Sequence, residues 1–315
     1  MDLYNPLKST AMKLGLKLSF IFSVPFAFMS MAQQQVHYSQ YMYNTSMVNP
    51  AYVGTSNRME AQLIHRSQWV KIDGAPVTQN FGIQGKIAKN LGLGLNVLND
   101  AVGPAKTFQA NAQVAANVRL GENIRLSAGL NAGIESLSVD WTKGRMQDQS
   151  DEVMMTNISN RIKPLVGAGL YLYDDNWYFG ASIPNFIEYD RYSVLEEQMI
   201  NGRSHFNFIG GYVFHFENFK LKPAAMIKMV LGAPVNFDVS LNALLYEKVT
   251  IGAGFRHRDA VSAHVAYTIN KSFMLGYSYD FGISKLRNHN QGSHDIILKY
   301  MLLNKDNAGR SVRFF

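Results

Sequence analysis

Residues 123–135 alternate between apolar side chains and small or polar ones. One row is uniformly apolar, and it consists of Ile124, Leu126, Ala128, Leu130, Ala132 and Ile134. The other row is charged, polar or small, and it consists of Arg125, Ser127, Gly129, Asn131, Gly133 and Glu135. Because successive side chains of a strand point to opposite faces, this segment is predicted to be a strand between an apolar and a wet environment. It is also long enough to cross a bilayer at a tilt.

The same two-residue period recurs to the end of the chain. It predicts about fourteen strands, near residues 59–68, 77–87, 91–98, 107–118, 123–136, 163–173, 176–183, 205–216, 219–230, 235–246, 248–256, 260–269, 272–282 and 293–302. An even number of antiparallel strands is typical of bacterial single-chain barrels. The pattern therefore predicts an all-β fold, a transmembrane up-and-down antiparallel β-barrel over residues 59–303.

The lengths of the connections give a second indication. Those after even-numbered strands are all short, whereas the long ones follow odd-numbered strands, at 69–76, 137–162, 184–204 and 283–292. In outer-membrane barrels, short turns face the periplasm and longer loops face the outside. The sorting favours a membrane barrel over a soluble sandwich. It also makes the two longest loops candidate recognition surfaces.

Residues 1–32 are predicted to be a signal peptide. Three lysines precede an apolar run from Leu18 to Met29, and Ser30 and Ala32 supply small residues at the cleavage-site positions. Cleavage after Ala32 would make Gln33 the mature N-terminus. The alternative is a short membrane anchor, but the run is well short of the roughly 20 apolar residues of a spanning helix. An exported barrel belongs in the cell outer membrane.

Composition narrows the classes of function. Charged residues make up 17% of the chain and cysteine is absent, so there is neither a disulfide framework nor a thiolate metal site. The net charge of +7 is scattered, which makes nucleic acid a poor candidate partner. The glycine pairs complete no phosphate-binding loop, and we interpret them as inward-facing residues that allow strand curvature. The histidine spacings match no zinc motif. We therefore predict no enzyme activity, no cofactor and no metal.

The inward row of the predicted strands carries charges of both signs. They are Lys86, Arg119, Arg125, Glu135, Asp238, Arg256, Asp280, Asp295 and Lys299. In a barrel of about fourteen strands, such charges either form salt-bridged packing that plugs the lumen or line a polar channel. The segment 33–58 lacks long alternation, and it could line the lumen, cap it from below or reach the periplasm. Residues 304–315 form a C-terminal tail.

Several short motifs carry a family resemblance. Asn49-Pro50-Ala51-Tyr52-Val53-Gly54 lies just after the predicted mature N-terminus, and Arg66-Ser67-Gln68-Trp69 and Gly92-Leu93-Gly94 follow it. With these motifs the mature chain resembles the PorP/SprF family of outer-membrane proteins, part of the type IX secretion and gliding-motility machinery of Bacteroidota. The combination of N-P-A-x-x-G and R-x-Q-W is the most specific part of this resemblance.

The resemblance implies a barrel that supports secretion, or surface anchoring of cargo such as large adhesins. It also implies other type IX secretion components, periplasmic and motor, as partners beside the outer-membrane lipid. The candidate partner-binding residues are Asn49, Pro50, Tyr52, Gly54, Arg66, Gln68 and Trp69. The alternative interpretation of these residues is structural, with proline and glycine fixing a turn and the tryptophan in the interfacial girdle. The alternative function is a porin-like diffusive channel for small solutes.

Overall fold

A computed structural model describes residues 41–56, 58–143, 157–187, 205–230 and 233–302. The predicted signal peptide and the C-terminal tail lie outside the described residues, as do half of the loop predicted at 137–162 and most of the loop predicted at 184–204. Cleavage after Ala32 and the domain limits therefore stay predictions.

The described residues form fifteen strand segments in sequence order. They are β1 (Met59–Ser67), β2 (Val77–Ala88), β3 (Leu91–Val102), β4 (Ala105–Arg119), β5 (Arg125–Val139), β6 (Ile158–Tyr173), β7 (Trp177–Ile183), β8 (His205–Tyr212), β9 (Phe214–His215), β10 (Phe219–Val230), β11 (Asn236–Leu245), β12 (Val249–Arg256), β13 (Ala260–Thr268), β14 (Phe273–Gly282) and β15 (Ser293–Leu302). The segments β8 and β9 both pair with β10 and are interrupted only at Val213. They therefore make one wall strand, and the wall has fourteen.

The sheet closes on itself. Each wall strand pairs antiparallel with the next one along the chain, and β15 returns to β1 with a register that runs from Met59–Leu302 to Ser67–His294. This arrangement confirms the predicted up-and-down barrel. The largest difference from the predicted edges is at β6, which begins at Ile158 rather than near residue 163. The register with β5 shifts at this start, between Leu137 and Val139, and Asn160 has a φ of +48°, so the regular alternation that marked the other strands is broken there.

Side chains alternate across the wall as the sequence pattern predicts. On β5, Leu130 and Ile134 point outward and are 58% and 45% exposed, whereas Asn131 and Glu135 point inward and are buried. Apolar side chains outside and polar ones inside reverse the order of a soluble protein. They suit a barrel whose outer face meets lipid hydrocarbon.

The two ends of the barrel differ in their connections. One end, called the turn end below, carries the short connections 89–90, 120–124, 174–176, 216–218, 246–248 and 269–272. The opposite end, the loop end, carries the longer connections such as 68–76 and 283–292. The loop-length rule of outer-membrane barrels assigns the turn end to the periplasm. No described helix is both long and apolar enough to cross a membrane.

Candidate functional site

Residues 41–56, called the plug below, fold inside the barrel. The plug contains three short helical turns, at Tyr41–Tyr43, Thr45–Val48 and Pro50–Tyr52, and every plug residue except Met47 is buried. The last turn begins as expected from its sequence: Asn49 accepts a hydrogen bond from the Ala51 N–H at 2.9 Å, and Pro50 follows it at the first position. The segment is therefore a folded element of the lumen.

The plug extends from one end of the lumen to the other. At the loop end, Tyr41 lies beside Asp238 and Arg256, next to the connection 257–259. At the turn end, Gly54 rests on Gly92, two residues from the connection 89–90. Residues 41–54 thus span the lumen between these two contacts.

Hydrogen bonds tie the plug to five different wall strands. The pairs are Asn44 to Asn80 at 2.9 Å, Gln62 to Asn44, Gln113 to the Ser46 carbonyl at 2.8 Å, Ser182 to the Val48 carbonyl at 2.7 Å, and Asn49 to the Leu170 carbonyl at 2.9 Å. The wall strands involved are β2, β1, β4, β7 and β6. Because buried polar groups are costly unless they are paired, these bonds fix the position of the plug.

Glycines on the inner face of the wall allow the plug backbone to come close. A Cβ atom added at Gly129 would lie 2.5 Å from Ala51 Cα, and one added at Gly92 would lie 2.6 Å from Gly54 Cα. Real Cβ atoms do not approach other atoms so closely. The glycines of β3 and β5 are therefore required by packing, a stronger reason than the strand curvature expected from the sequence.

A buried ion network occupies the loop end of the lumen. Arg66 pairs with Asp280 at 2.9 Å and with Asp295 at 2.5 Å, and Arg256 pairs with Asp238 at 2.8 Å. Arg256 also lies 3.7 Å from Asp280, which joins the two groups. All five side chains are at most 8% exposed. Of the two arrangements left open by the sequence, these charges form salt-bridged packing.

The space that remains beside this network is small. A cavity lined by Tyr41, Ser240, Arg256 and Asp280 has a volume of about 10 Å³, roughly the space of one water molecule. Inward-facing polar side chains farther along the lumen, such as Asn80, are also buried. Around the plug and the ion network, the described side chains therefore fill the lumen.

The family is decided by comparison with known proteins. A family model described as "Type IX secretion system membrane protein PorP/SprF" matches residues 30–300. The chain belongs to the PorP/SprF family. This membership and the barrel fold make it an outer-membrane protein. No curated protein matches this PorP/SprF chain.

Solved structures similar to this PorP/SprF protein are also β-barrels. The CymD monoaromatic hydrocarbon channel is 12% identical, with a TM-score of 0.51, and the match covers 84% of this chain and 92% of CymD. The Ralstonia pickettii toluene transporter TbuX is 9% identical, with a TM-score of 0.49, and the match covers 81% of this chain and 92% of TbuX. At 12% identity, the likeness to CymD shows the fold alone.

The seven candidate partner-binding residues of this PorP/SprF protein fall into two places. Five of them are buried in the lumen: Asn49, Pro50, Tyr52 and Gly54 in the plug and Arg66 in the ion network. The Tyr52 ring packs edge-on against Tyr171 with centroids 5.6 Å apart. These contacts favour the structural interpretation of the five. Their role in binding partners stays a prediction.

The other two candidates, Gln68 and Trp69, lie at the loop end and are partly exposed. The Gln68 N–H donates to the Pro76 carbonyl at 2.9 Å, and the Trp69 N–H donates to Ser293 Oγ at 3.2 Å. The first bond joins the two ends of the connection 68–76, and the second joins this connection to the start of β15. Of the seven candidates, only these two present surface to a partner in this structure.

Sequence reasoning missed the wall residues that receive the plug. Gly129, Gln113 and Ser182 contact it directly, yet each looks like an ordinary member of an inward row. The available signal was the row of glycines on the inner faces.

As for metal chemistry, the described part of this PorP/SprF protein contains no cluster of three or more His, Asp or Glu residues suited to a metal ion.

Proposed function

We propose that this protein is a closed scaffold of the type IX secretion machinery, without enzyme activity, that supports secretion or surface anchoring of cargo such as large adhesins. The observation that carries the proposal is the filled lumen in a member of a secretion-system family. A barrel without a water-filled path acts through the surfaces it presents. Those surfaces are its two ends and its lipid-facing wall.

The two ends suit different partners. The turn end, assigned to the periplasm, is available to periplasmic and motor components of the secretion system. The loop end presents Gln68 and Trp69, on the side where surface cargo would be held. Tryptophan is among the residues most enriched at the energetic hot spots of protein interfaces. The scaffold would thus connect components on the two sides of the membrane.

A diffusive channel for small solutes is the competing function. The likeness to CymD does not favour it, because only the fold is shared. The buried ion network and the plug oppose it, since small solutes need a path between the side chains that meet across the lumen. Its remaining support is the barrel itself, which is common to channels and scaffolds.

A deletion strain tests the proposal. We expect loss of the gene to remove specific cargo proteins from the cell surface and the medium, measured by quantitative mass spectrometry of both fractions. Reintroduction of the wild-type gene should restore them, and Gly121→Ala should restore them equally, because the position has open space around it. Affinity purification from cross-linked envelopes should recover other type IX components. An unchanged secreted and surface proteome, together with no recovered component, would overturn the proposal.

A further inference from the structure

Two arginines face each other across a hairpin at the turn end. Arg119 is the last residue of β4 and Arg125 is the first residue of β5, and the two are direct partners in the antiparallel register. Like charges in directly opposed positions destabilise a strand pair. Neither arginine forms an ion pair with another residue that the structure describes. The repulsion between these two arginines therefore destabilises the hairpin.

Further cations lie around this pair. The Lys86 ammonium, near the end of β2, is close enough to Arg125, Arg119 and Lys89 to be repelled by their charges. The described residues of the adjoining connections, 89–90 and 120–124, contain one carboxylate, Glu122. The next two connections of the turn end are acidic, with Asp174, Asp175 and Glu217, whereas the last two, 246–248 and 269–272, carry Glu247, Lys248 and Lys271. The turn end thus has a basic side and an acidic side.

Three of these cations, Lys86, Arg119 and Arg125, lie on the inward rows of their strands, away from the lipid. Arg119 continues the inward row of β4 that includes the buried Asn117, whereas its neighbour Val118 points outward and is 47% exposed. Likewise Ile124, just before Arg125, is an exposed apolar side chain. A lipid headgroup would be expected to meet side chains of the outer row. The inward placement favours a ligand that approaches along the barrel axis.

The plug closes the lumen directly above these cations. Lys86 is paired with Gly92 in the register of β2 and β3. Gly92 in turn contacts Gly54, the last residue of the N-P-A-x-x-G motif in the plug. A ligand at the cations therefore stays at the mouth and goes no farther into the lumen. The C-terminal tail leaves β15 at the same end, but residues 303–315 contain three basic residues and one acidic side chain. Its charge does not complement the mouth.

We propose that the basic mouth, defined as Lys86, Lys89, Arg119 and Arg125, docks an acidic segment of a periplasmic protein. The inference rests on the proposed function, in which periplasmic components contact the turn end. Complementary charge steers such an encounter and selects the partner. The acidic arc at Asp174, Asp175 and Glu217 fixes the orientation of the docked segment by repelling it from the other side of the rim.

A binding experiment tests the charge of the mouth. The probe is a fluorescent ten-residue polyglutamate peptide, titrated with the full-length barrel in non-ionic detergent at low salt and followed by anisotropy. We expect saturable binding to the wild type, weakened about tenfold by Arg119→Gln with Arg125→Gln. The conservative pair Arg119→Lys with Arg125→Lys should retain it. The matched control is Lys248→Gln with Lys271→Gln, which removes two exposed lysines from other turns of the same end.

Several results would overturn the inference. They are an absence of peptide binding to the wild type, an equal loss in the mouth and control variants, or tighter mouth-dependent binding of a short-chain phosphatidylglycerol than of the peptide. The last result would assign the mouth to anionic lipid. Heat-dependent electrophoretic mobility confirms that each variant is folded before it is compared.

Purification from cross-linked envelopes separates this inference from the proposed function. If the wild type recovers type IX components and the glutamine variant of the mouth loses them, both stand. If the two proteins recover the same components equally, the docking inference fails and the proposed function stands. If the wild type recovers none, the docking inference fails, and the proposed function fails with it when the deletion strain also has an unchanged secreted and surface proteome.

Discussion

Gly54 of the plug lies directly against Gly92 of β3, and a Cβ atom on Gly92 would come within 2.6 Å of Gly54 Cα. Gly54 also has a φ of +72°, a conformation that favours glycine. It ends the N-P-A-x-x-G motif, and Gly92 begins the G-L-G motif. The two short motifs that indicated the family therefore meet each other in one contact between the plug and the wall.

The variant Gly92→Ala tests this contact. We expect a destabilisation of about 1–3 kcal/mol, because the added methyl group meets backbone atoms, which cannot rotate away. The measurement is thermal unfolding of the purified barrel, followed by heat-dependent mobility. The control Gly121→Ala adds the same methyl group in open space at the turn end. Equal stability of the two variants would contradict the close contact.

An engineered disulfide tests the position of the plug. Val53 Cγ2 lies 3.2 Å from a Cβ atom built at Gly94, a spacing that suits a disulfide. Because the chain has no cysteine, Val53→Cys with Gly94→Cys should form one internal cross-link under mild oxidation, visible as a mobility shift on non-reducing gels. Each single variant serves as control. Free thiols in the folded double variant would place the plug elsewhere.

The ion network predicts a large cost for the loss of one arginine. Arg66→Met leaves Asp280 and Asp295 buried without their shortest ion pairs, which should destabilise the barrel by about 3–5 kcal/mol. Urea-induced unfolding in lipid vesicles measures the change. Adding Asp280→Asn and Asp295→Asn to Arg66→Met should recover part of the loss. A triple variant as unstable as the single variant would show that the charges do not act as a network.

The outer face of β5 should not tolerate a charge. Leu130 is 58% exposed on the outer wall, so Leu130→Arg should cost about 2–4 kcal/mol if the position faces the membrane interior. The control Leu130→Met keeps the side chain apolar. Folded protein in the outer-membrane fraction is the measurement. Equal yields from the two variants would place this face outside the hydrocarbon layer.

The wall was predictable because its signal is local. Each strand carries its own alternation, so the fourteen strands and the inward row that contains Asn131 and Glu135 follow from residues close in sequence. The exception is the start of β6, where a register shift beside Asn160 breaks the alternation. The connection predicted at 137–162 is accordingly shorter and spans 140–157.

The contents of the lumen were not predictable because they depend on distant contacts. Arg66 and Asp280 could both be assigned to the inner face, but they are 214 residues apart and only the closed register makes them partners. The plug has no periodic pattern. Its position is fixed by bonds such as Asn49 to Leu170, which link residues 121 apart. The candidate residues were therefore recognised as a motif, but their packing role was not.

Single-channel recording in planar lipid bilayers tests the filled lumen most directly. The full-length protein is reconstituted, and its insertion is verified independently by flotation with lipid vesicles. We predict no steady conductance, because the plug and the ion network at Arg66 and Arg256 occupy the path of ions. The disulfide variant that locks Val53 to Gly94 should be equally silent. A steady open pore in the wild-type protein would contradict the closed scaffold and favour a diffusive channel.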